Sequence, residues 1–198
     1  MQRPAAAEAK NVTPLSTKAG ENKRELFLQL FDPTEKNYSD LTGKSPVQSD
    51  RGNNYILVAY HYDANNILTK TLKNITGSCI LNDITKIRDK LRKQGLTPKL
   101  HIMDNEVSED LKKYFKDSDI QLQLVPPHMH RINAAERDVR TFKNHFIATL
   151  CTMEPMFHFY LWEHLLPQVT MTLNMMRQYH YTPQLSAYEK VDDIHNFE

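Results

Sequence analysis

The sequence predicts an α/β protein with a mixed central sheet of about five strands and helices packed on it. Two β-branched and aromatic runs, at 55–62 and 67–72, flank a turn-prone segment and indicate a hairpin. Beyond the hairpin, strand-like apolar segments alternate with segments whose apolar residues recur at helical spacing. A hairpin followed by strand–helix–strand units gives antiparallel and parallel neighbours in one sheet. A length of 198 residues suits one such domain with tails.

The N-terminal part leads into the first short strand-like segment at 37–40. Residues 1–24 carry Ala, Lys, Glu and Pro with little apolar content, which predicts a disordered lead-in. Residues 25–31 are apolar and suit either a strand or a helix. We expect a turn of about four residues between the two strands of the hairpin. The core domain is assigned to 25–190 and a tail to 191–198.

Helices and strands alternate after the hairpin. Helical spacing predicts a helix over 78–93 that ends at Gly95, with a buried face formed by Ile80, Ile84, Ile87 and Leu91. Strands are expected at 100–103 and 120–125. Between them, a short helix is marked by Val107, Leu111 and Phe115.

The C-terminal third is predicted to be helical. A long helix begins at about Ala134, and its core stripe is expected to be Ala135, Val139, Phe142, Phe146 and Leu150. The apolar stretch 157–176 contains Pro167, which is expected to kink or split it. Its core side chains are expected to be Trp162, Leu165, Leu166, Val169, Leu173 and Met176.

Composition limits the classes of function. The net charge is +1, so a surface that binds a polyanion must be a local patch. Cys79 and Cys151 lack Cys-x-x-Cys spacing and are interpreted as reduced core residues of an intracellular protein. The N-terminus has no continuous apolar region of the kind that signal peptides carry, and no run approaches eighteen apolar residues. We therefore expect neither secretion by a signal peptide nor a membrane span. The expected location is the cytoplasm and, in a eukaryote, the nucleus.

Three acids stand where predicted elements begin or end. Asp40 ends the first segment, Asp104 ends the strand at 100–103, and Glu136 opens the long helix. Carboxylates gathered from separate element ends are what a divalent-metal phosphoryl-transfer site requires.

Each acid also has a structural interpretation. Asn133 and Glu136 nearly form a capping box, and Asp104 before an asparagine suits the start of a turn. Asp50, in a polar loop, and Asp63, in the hairpin turn, compete with Asp40 as the first acid. The residues alone leave these alternatives open.

Several stretches resemble a known family when they are read together. They are Tyr38-Ser-Asp-Leu-Thr-Gly, Gly52-Asn-Asn-Tyr-Ile-Leu-Val, His101-Ile-Met-Asp-Asn-Glu, Val125-Pro-Pro-His-Met-His-Arg-Ile-Asn-Ala-Ala-Glu-Arg, Thr141-Phe-Lys-Asn-His-Phe, Leu161-Trp-Glu-His-Leu-Leu-Pro and Pro183-Gln-Leu-Ser-Ala-Tyr-Glu. Over residues 37–190 the chain resembles the catalytic core of retroviral and copia-like retrotransposon integrases, within the RNase H-like polynucleotidyl transferase superfamily.

The resemblance implies an RNase H-like fold and a DNA integrase. Asp40, Asp104 and Glu136 would hold two Mg²⁺ or Mn²⁺ ions for 3′-end processing and strand transfer. The DNA partners would be the ends of the element and the target DNA. The protein partner would be a second copy of the chain, and part of the 157–176 stretch could face that copy. Arg140 and Lys143 share a helical face with Glu136. The expected DNA contacts are Arg140, Lys143, Arg137, His130 and Asn133.

Departures from the family pattern leave other functions open. Only 31 residues separate Asp104 from Glu136, and Glu106 replaces the usual glycine. The family's His-His-Cys-Cys zinc domain and its basic C-terminal domain are not visible in the sequence. His128 and His130 suit either zinc or a loop beside DNA, and Arg140 and Lys143 also suit a solvated helix face. The rival functions are a ribonuclease H-like nuclease and a non-catalytic DNA-binding or oligomerising remnant of a mobile element.

Overall fold

The computed structural model describes residues 35–104, 107–125 and 134–192, with the backbone alone at 134–136. Residues 25–31, His128, His130 and Asn133 lie outside the described residues. The strands are β1 (Lys36–Leu41), β2 (Tyr55–His61), β3 (Asn66–Leu72), β4 (Leu100–Asp104) and β5 (Gln121–Val125). The helices are α1 (Gly77–Lys93), α2 (Glu109–Asp117), α3 (Ala134–Cys151), a 3₁₀ helix (Phe159–Leu165), α4 (Leu166–Met175) and α5 (Ala187–Asp192).

The five strands form one mixed sheet in the order β3-β2-β1-β4-β5, which confirms the predicted architecture. Strands β1, β2 and β3 pair antiparallel, whereas β1–β4 and β4–β5 pair parallel. The predicted hairpin is β2–β3, and its turn occupies the four residues 62–65. β1 is therefore the central strand, and its parallel neighbour is β4.

One face of the sheet is covered by α1 and α2. The isoleucines and leucine expected on α1 are all buried there, as are Leu111 and Phe115 of α2. Gly95 has a φ of 71°, a left-handed conformation that lets the chain leave α1. The helical spacing in the sequence therefore identified this layer correctly.

The opposite face is covered by α3 and α4. α3 packs on β1 and β2, and α4 packs on β3. Val139 and Phe142 are buried on α3, whereas Phe146 and Leu150 are half-buried. Pro167 lies in the first turn of α4, directly after the 3₁₀ helix, so the predicted split of the last apolar stretch is confirmed.

Two sequence-based expectations about burial were wrong. Met176, directly after α4, is 66% exposed, because it lies beyond the last turn that packs on the sheet. Cys151 is exposed at the end of α3, whereas Cys79 is half-buried and packs against the core; both are free thiols. Among the described residues, no helix combines the length and apolarity that a membrane crossing requires.

Candidate active site

Asp40 and Asp104 lie side by side near the carboxyl ends of two adjacent parallel strands. Ser39 of β1 pairs with Met103 of β4, so the next residue of each strand is one of the two acids. Paired residues of neighbouring strands direct their side chains to the same face of a sheet. Asp40 is half-buried, Asp104 is exposed, and Asp40 Oδ1 accepts a 2.7 Å hydrogen bond from the Leu41 amide.

This face of the sheet is the one that α3 covers. Tyr38 and Asp40 project from the same side of β1, because side chains alternate along a strand. Tyr38 stacks on Tyr60 with ring centroids 6.1 Å apart, and Tyr60 in turn contacts the Arg177 guanidinium that binds Asp138 of α3. Glu136 belongs to the first turn of α3, so the third predicted acid is carried by the helix that packs on β1 and β2 at this face of the sheet.

The two competing aspartates have contacts elsewhere. Asp50 Oδ2 lies 2.8 Å from His164 Nε2, and this hydrogen bond lowers the pKa of the Asp50 carboxyl. Asp63 accepts hydrogen bonds from the Glu35 amide and the Tyr181 hydroxyl, near the start of β1 and therefore at the opposite end of that strand from Asp40. Both aspartates thus have structural roles, and neither neighbours Asp104 in the sheet.

Three cationic residues lie on α3 in the seven positions after Glu136. Arg137 and Arg140 are exposed, and Lys143 is half-buried. Lys143 and Lys44 line the same apolar groove of about 440 Å³, between α3 and the segment that follows β1. Sequence reasoning did not single out Lys44, whose position just beyond Asp40 in a turn-prone stretch was its only signal.

An ion pair that the sequence analysis missed fixes α3. Arg177 Nη2 lies 2.7 Å from Asp138 Oδ1, and the same guanidinium donates to Asn65 in the hairpin turn. Burial raises the pKa of Asp138, while Arg177 opposes that shift. Asp138 comes two residues after Glu136, so this pair holds the beginning of α3 against the sheet. Its only sequence signal was a charged residue beside the apolar stripe of the helix.

The donor chemistry at the strand ends fits a hard divalent cation. Carboxylate oxygens are the ligands that Mg²⁺ prefers, and the exposure of Asp104 leaves this edge open to solvent. Within the described residues no group of three or more His, Cys, Asp or Glu is arranged to hold a metal ion. The Glu136 side chain is not among those residues, so a third ligand from α3 stays a prediction.

No protein-family model and no curated protein sequence matches this chain. Solved structures do match. One is the intasome of simian T-cell lymphotropic virus in complex with PP2A regulatory subunit B56 gamma, with a TM-score of 0.59 and 12% identity over 84% of this chain and 56% of that chain. Another is the catalytic core domain of BIV integrase, with a TM-score of 0.54 and 16% identity over 80% of this chain and 93% of that chain.

These matches show the fold of the chain. It has the α/β architecture of an integrase catalytic core, an RNase H-like mixed sheet of five strands with helices on both faces. The chain spans a little over half the length of the viral intasome chain but nearly all of the isolated core domain.

Proposed function

We propose that this chain is the catalytic core of an integrase-type polynucleotidyl transferase that inserts the DNA of a retroelement of the copia-like kind. The observation that carries the proposal is the pair of aspartates, each one residue beyond the paired Ser39 and Met103 of adjacent parallel strands, on the face of the sheet against which α3 packs. Ligand-binding sites in open α/β sheets form at the carboxyl ends of parallel strands. The integrase-core fold adds support, because its matched neighbours include an intasome.

Each residue of the proposed site has a distinct task. Asp40, Asp104 and Glu136 would hold two Mg²⁺ or Mn²⁺ ions, which supply Lewis-acid stabilisation of the attacking and leaving oxygens. Arg140 and Lys143, with Arg137, His130 and Asn133, would hold the phosphates of the DNA strand. Asp138 and Arg177 would position the helix that brings Glu136 to the strand ends.

The test compares two aspartates on the same chain. Asp40→Asn should abolish Mn²⁺-dependent nicking or joining of an oligonucleotide duplex, because it removes a metal-binding charge. Asp50→Asn should largely spare it, since Asp50 pairs with His164. The opposite pattern would place the first ligand at Asp50.

Gel analysis of the products separates the proposal from its rivals. Joining of one DNA strand to another supports an integrase, whereas cleavage confined to RNA–DNA hybrids indicates a ribonuclease H-like enzyme. Tight DNA binding with no metal-dependent product identifies a non-catalytic remnant.

A second copy of the chain is the proposed protein partner. Met156 and Phe159 are 81% and 61% exposed, which is unusual for large apolar side chains so close in sequence. Sedimentation analysis should detect a dimer that Phe159→Asp weakens. A monomer at all concentrations tested would count against this partner.

A further inference from the structure

A cavity at the end of β1 opposite to Asp40 is lined by acids and aromatic rings. It has a volume of about 330 Å³ and lies between the start of β1, the hairpin turn, the loop after α1 and the segment after α4. Its ionisable and aromatic lining residues are Glu35, His61, Asp63, Tyr179 and Tyr181. Among the described residues that line it, none is a lysine or an arginine. The two carboxylates therefore give the cavity wall a negative charge, which disfavours DNA and favours a cation.

The Asp63 carboxylate is held in place beside this cavity by hydrogen bonds. Its Oδ2 accepts from the Glu35 amide, and its Oδ1 accepts from the Tyr181 hydroxyl at 3.1 Å. Asp63 is 5% exposed, so its charge lies in surroundings that screen it less than water does. Glu35 Oε2 lies 2.6 Å from Nζ of Lys99, whose side chain is 77% exposed. Lys99 thus pairs with Glu35, whereas the donors that bind Asp63 within the described part of the chain are neutral.

Tyr179 and Tyr181 form an aromatic corner in the cavity wall. Their ring planes meet at 71°, and the ring centroids lie 5.7 Å apart. The Tyr179 ring already attracts an ammonium group, because Nζ of Lys190 lies 5.8 Å from its centroid. Tyr181 is 57% exposed, so a ligand can reach its ring from solvent. Aromatic rings that enclose a cation are the usual means of recognising ammonium ligands.

The buried His61 ring has a donor that needs an acceptor. His61 is 1% exposed and lines the cavity. Its Nδ1 accepts a 3.1 Å hydrogen bond from the Ala64 amide, and burial lowers its pKa to about 4, so at neutral pH the single ring proton is on Nε2. Nε2 is buried and has no hydrogen-bond partner among the described residues. A buried donor without an acceptor is costly, so a ligand that offers one would stabilise this arrangement.

The hydrogen bonds of Asp63 favour an ammonium group over a guanidinium. Each carboxylate oxygen already accepts one hydrogen bond, so a compact ammonium with three rotatable donors suits it better than a planar fork that needs both oxygens. A free alkylamine would satisfy the acid, but when protonated it has no acceptor for His61. A lysine residue in a peptide supplies both groups, because its ammonium donates and the main-chain carbonyls accept.

We propose that this cavity binds a lysine side chain of a partner protein, with the ammonium between Asp63 and the aromatic corner and a main-chain carbonyl of the partner at His61 Nε2. The site lies at the opposite end of β1 from Asp40. It would attach the protein to a lysine-bearing partner, and such binding is independent of the proposed DNA chemistry.

NMR titration of the isotope-labelled full chain, without DNA or divalent metal, measures the binding. The probes are acetyl-Gly-Lys-Gly-amide, the same peptide with norleucine in place of lysine, and n-pentylamine, which is the lysine side chain alone. The lysine peptide should bind about 10-fold more tightly than the norleucine peptide, which keeps the four-carbon chain but lacks the ammonium. n-Pentylamine should bind about 3- to 10-fold more weakly than the lysine peptide, because it offers His61 no acceptor. Equal binding of the two peptides would overturn the proposal, and an amine that binds as tightly as the lysine peptide would overturn the assignment to a protein partner.

A matched aspartate provides the control variant. Asp63→Asn keeps the shape of the side chain but removes its charge, and it should weaken binding of the lysine peptide by about 10-fold. Asp50→Asn removes the same charge from a site where the carboxylate contacts His164, and it should leave the affinity unchanged. Tyr181→Leu removes an exposed ring of the aromatic corner and should weaken binding by about 3-fold or more. Unchanged affinity in Tyr181→Leu, with the melting temperature of the wild type, would refute the site even if Asp63→Asn fails to fold.

Discussion

At the scale of single residues, His101 of β4 is buried, and both of its ring nitrogens lie against polar side chains of β1. Asn37 Nδ2 lies 3.1 Å from His101 Nδ1, and Ser39 Oγ lies 2.8 Å from His101 Nε2. The ring also packs on Phe115 of α2. Burial lowers the pKa of His101 to about 3 from 6.5, so the folded protein holds this ring neutral. His101 thus joins β4 to β1 three residues before Asp104.

We predict that acid destabilises the protein through this residue. The unfolded state binds the proton near pH 6.5, whereas the folded state resists it down to about pH 3, so stability falls as the pH drops through that window. The loss is about 1.4 kcal/mol per pH unit, or roughly 2 kcal/mol between pH 6.5 and 5. Urea unfolding at both pH values should show a smaller acid loss for His101→Gln.

The exposed His158 supplies the control for this measurement. His158→Gln should leave the acid loss unchanged, and an equal loss in wild type and His101→Gln would contradict the prediction. His61, whose pKa burial lowers to about 4, is expected to account for part of the loss that remains.

At the scale of elements, the 3₁₀ helix is tied to the connection between β1 and β2. The buried Glu163 carboxylate accepts hydrogen bonds from Ser49 Oγ at 2.5 Å, Asn53 Nδ2 at 2.7 Å and Arg51 Nη1 at 3.1 Å. Trp162 of the same helix donates to the Val47 carbonyl. These bonds hold the segment that directly follows Asp40 and carries Lys44.

We predict that substitution of Glu163 lowers the free energy of unfolding much more than substitution of Arg51. Glu163→Ala leaves the buried Ser49 hydroxyl without its acceptor and the Asn53 amide with Thr71 Oγ1 as its remaining acceptor, and it should lower the free energy of unfolding by about 3 kcal/mol. Arg51→Ala removes a side chain that is 64% exposed, and it should cost less than about 1 kcal/mol. Denaturant titration of both variants measures the contrast, and equal losses would refute it.

The two tasks that we propose for α3, metal binding and DNA binding, can be separated by mutation. Glu136→Gln keeps the size of the side chain and most of its capping ability but removes its charge, so it should abolish turnover with little loss of DNA affinity. Lys143→Ala should instead weaken DNA binding and reduce the salt slope by about one unit, while leaving part of the turnover at saturating DNA. A Glu136→Gln variant that unfolds yet stays active per folded molecule would assign Glu136 to capping alone.

At the scale of the whole molecule, divalent metal should stabilise the fold. The aspartates at the ends of β1 and β4 repel each other, and a cation bound only by the folded state adds stability by mass action. Mg²⁺ or Mn²⁺ at about ten times its dissociation constant should raise the melting temperature by about 3–5 °C. The shift should shrink in Asp40→Asn and persist in Asp50→Asn. A melting curve indifferent to both metals would count against the site.

The sequence by itself determined the fold class and the order of strands and helices along the chain. Helical spacing identified the buried face of α1, and the β-branched runs identified the hairpin. Both signals are local, because the apolar residues of a helix or strand recur with the period of that element. The sequence also placed Asp40 and Asp104 at strand ends, because each acid follows a short strand-like segment and precedes polar or turn-prone residues. Glu136 was assigned to the beginning of α3 by the same reasoning.

Only the tertiary structure decided which distant residues meet. The pairing of β1 with β4 put Asp40 beside Asp104, whereas Asp50 contacts His164. The ion pair between Asp138 and Arg177 joins residues 39 positions apart. No local period encodes such a contact, because it arises from the packing of whole elements on the sheet. Burial at the ends of elements was decided in the same way, so Met176 and Cys151 became exposed where their helices run past the layer they cover.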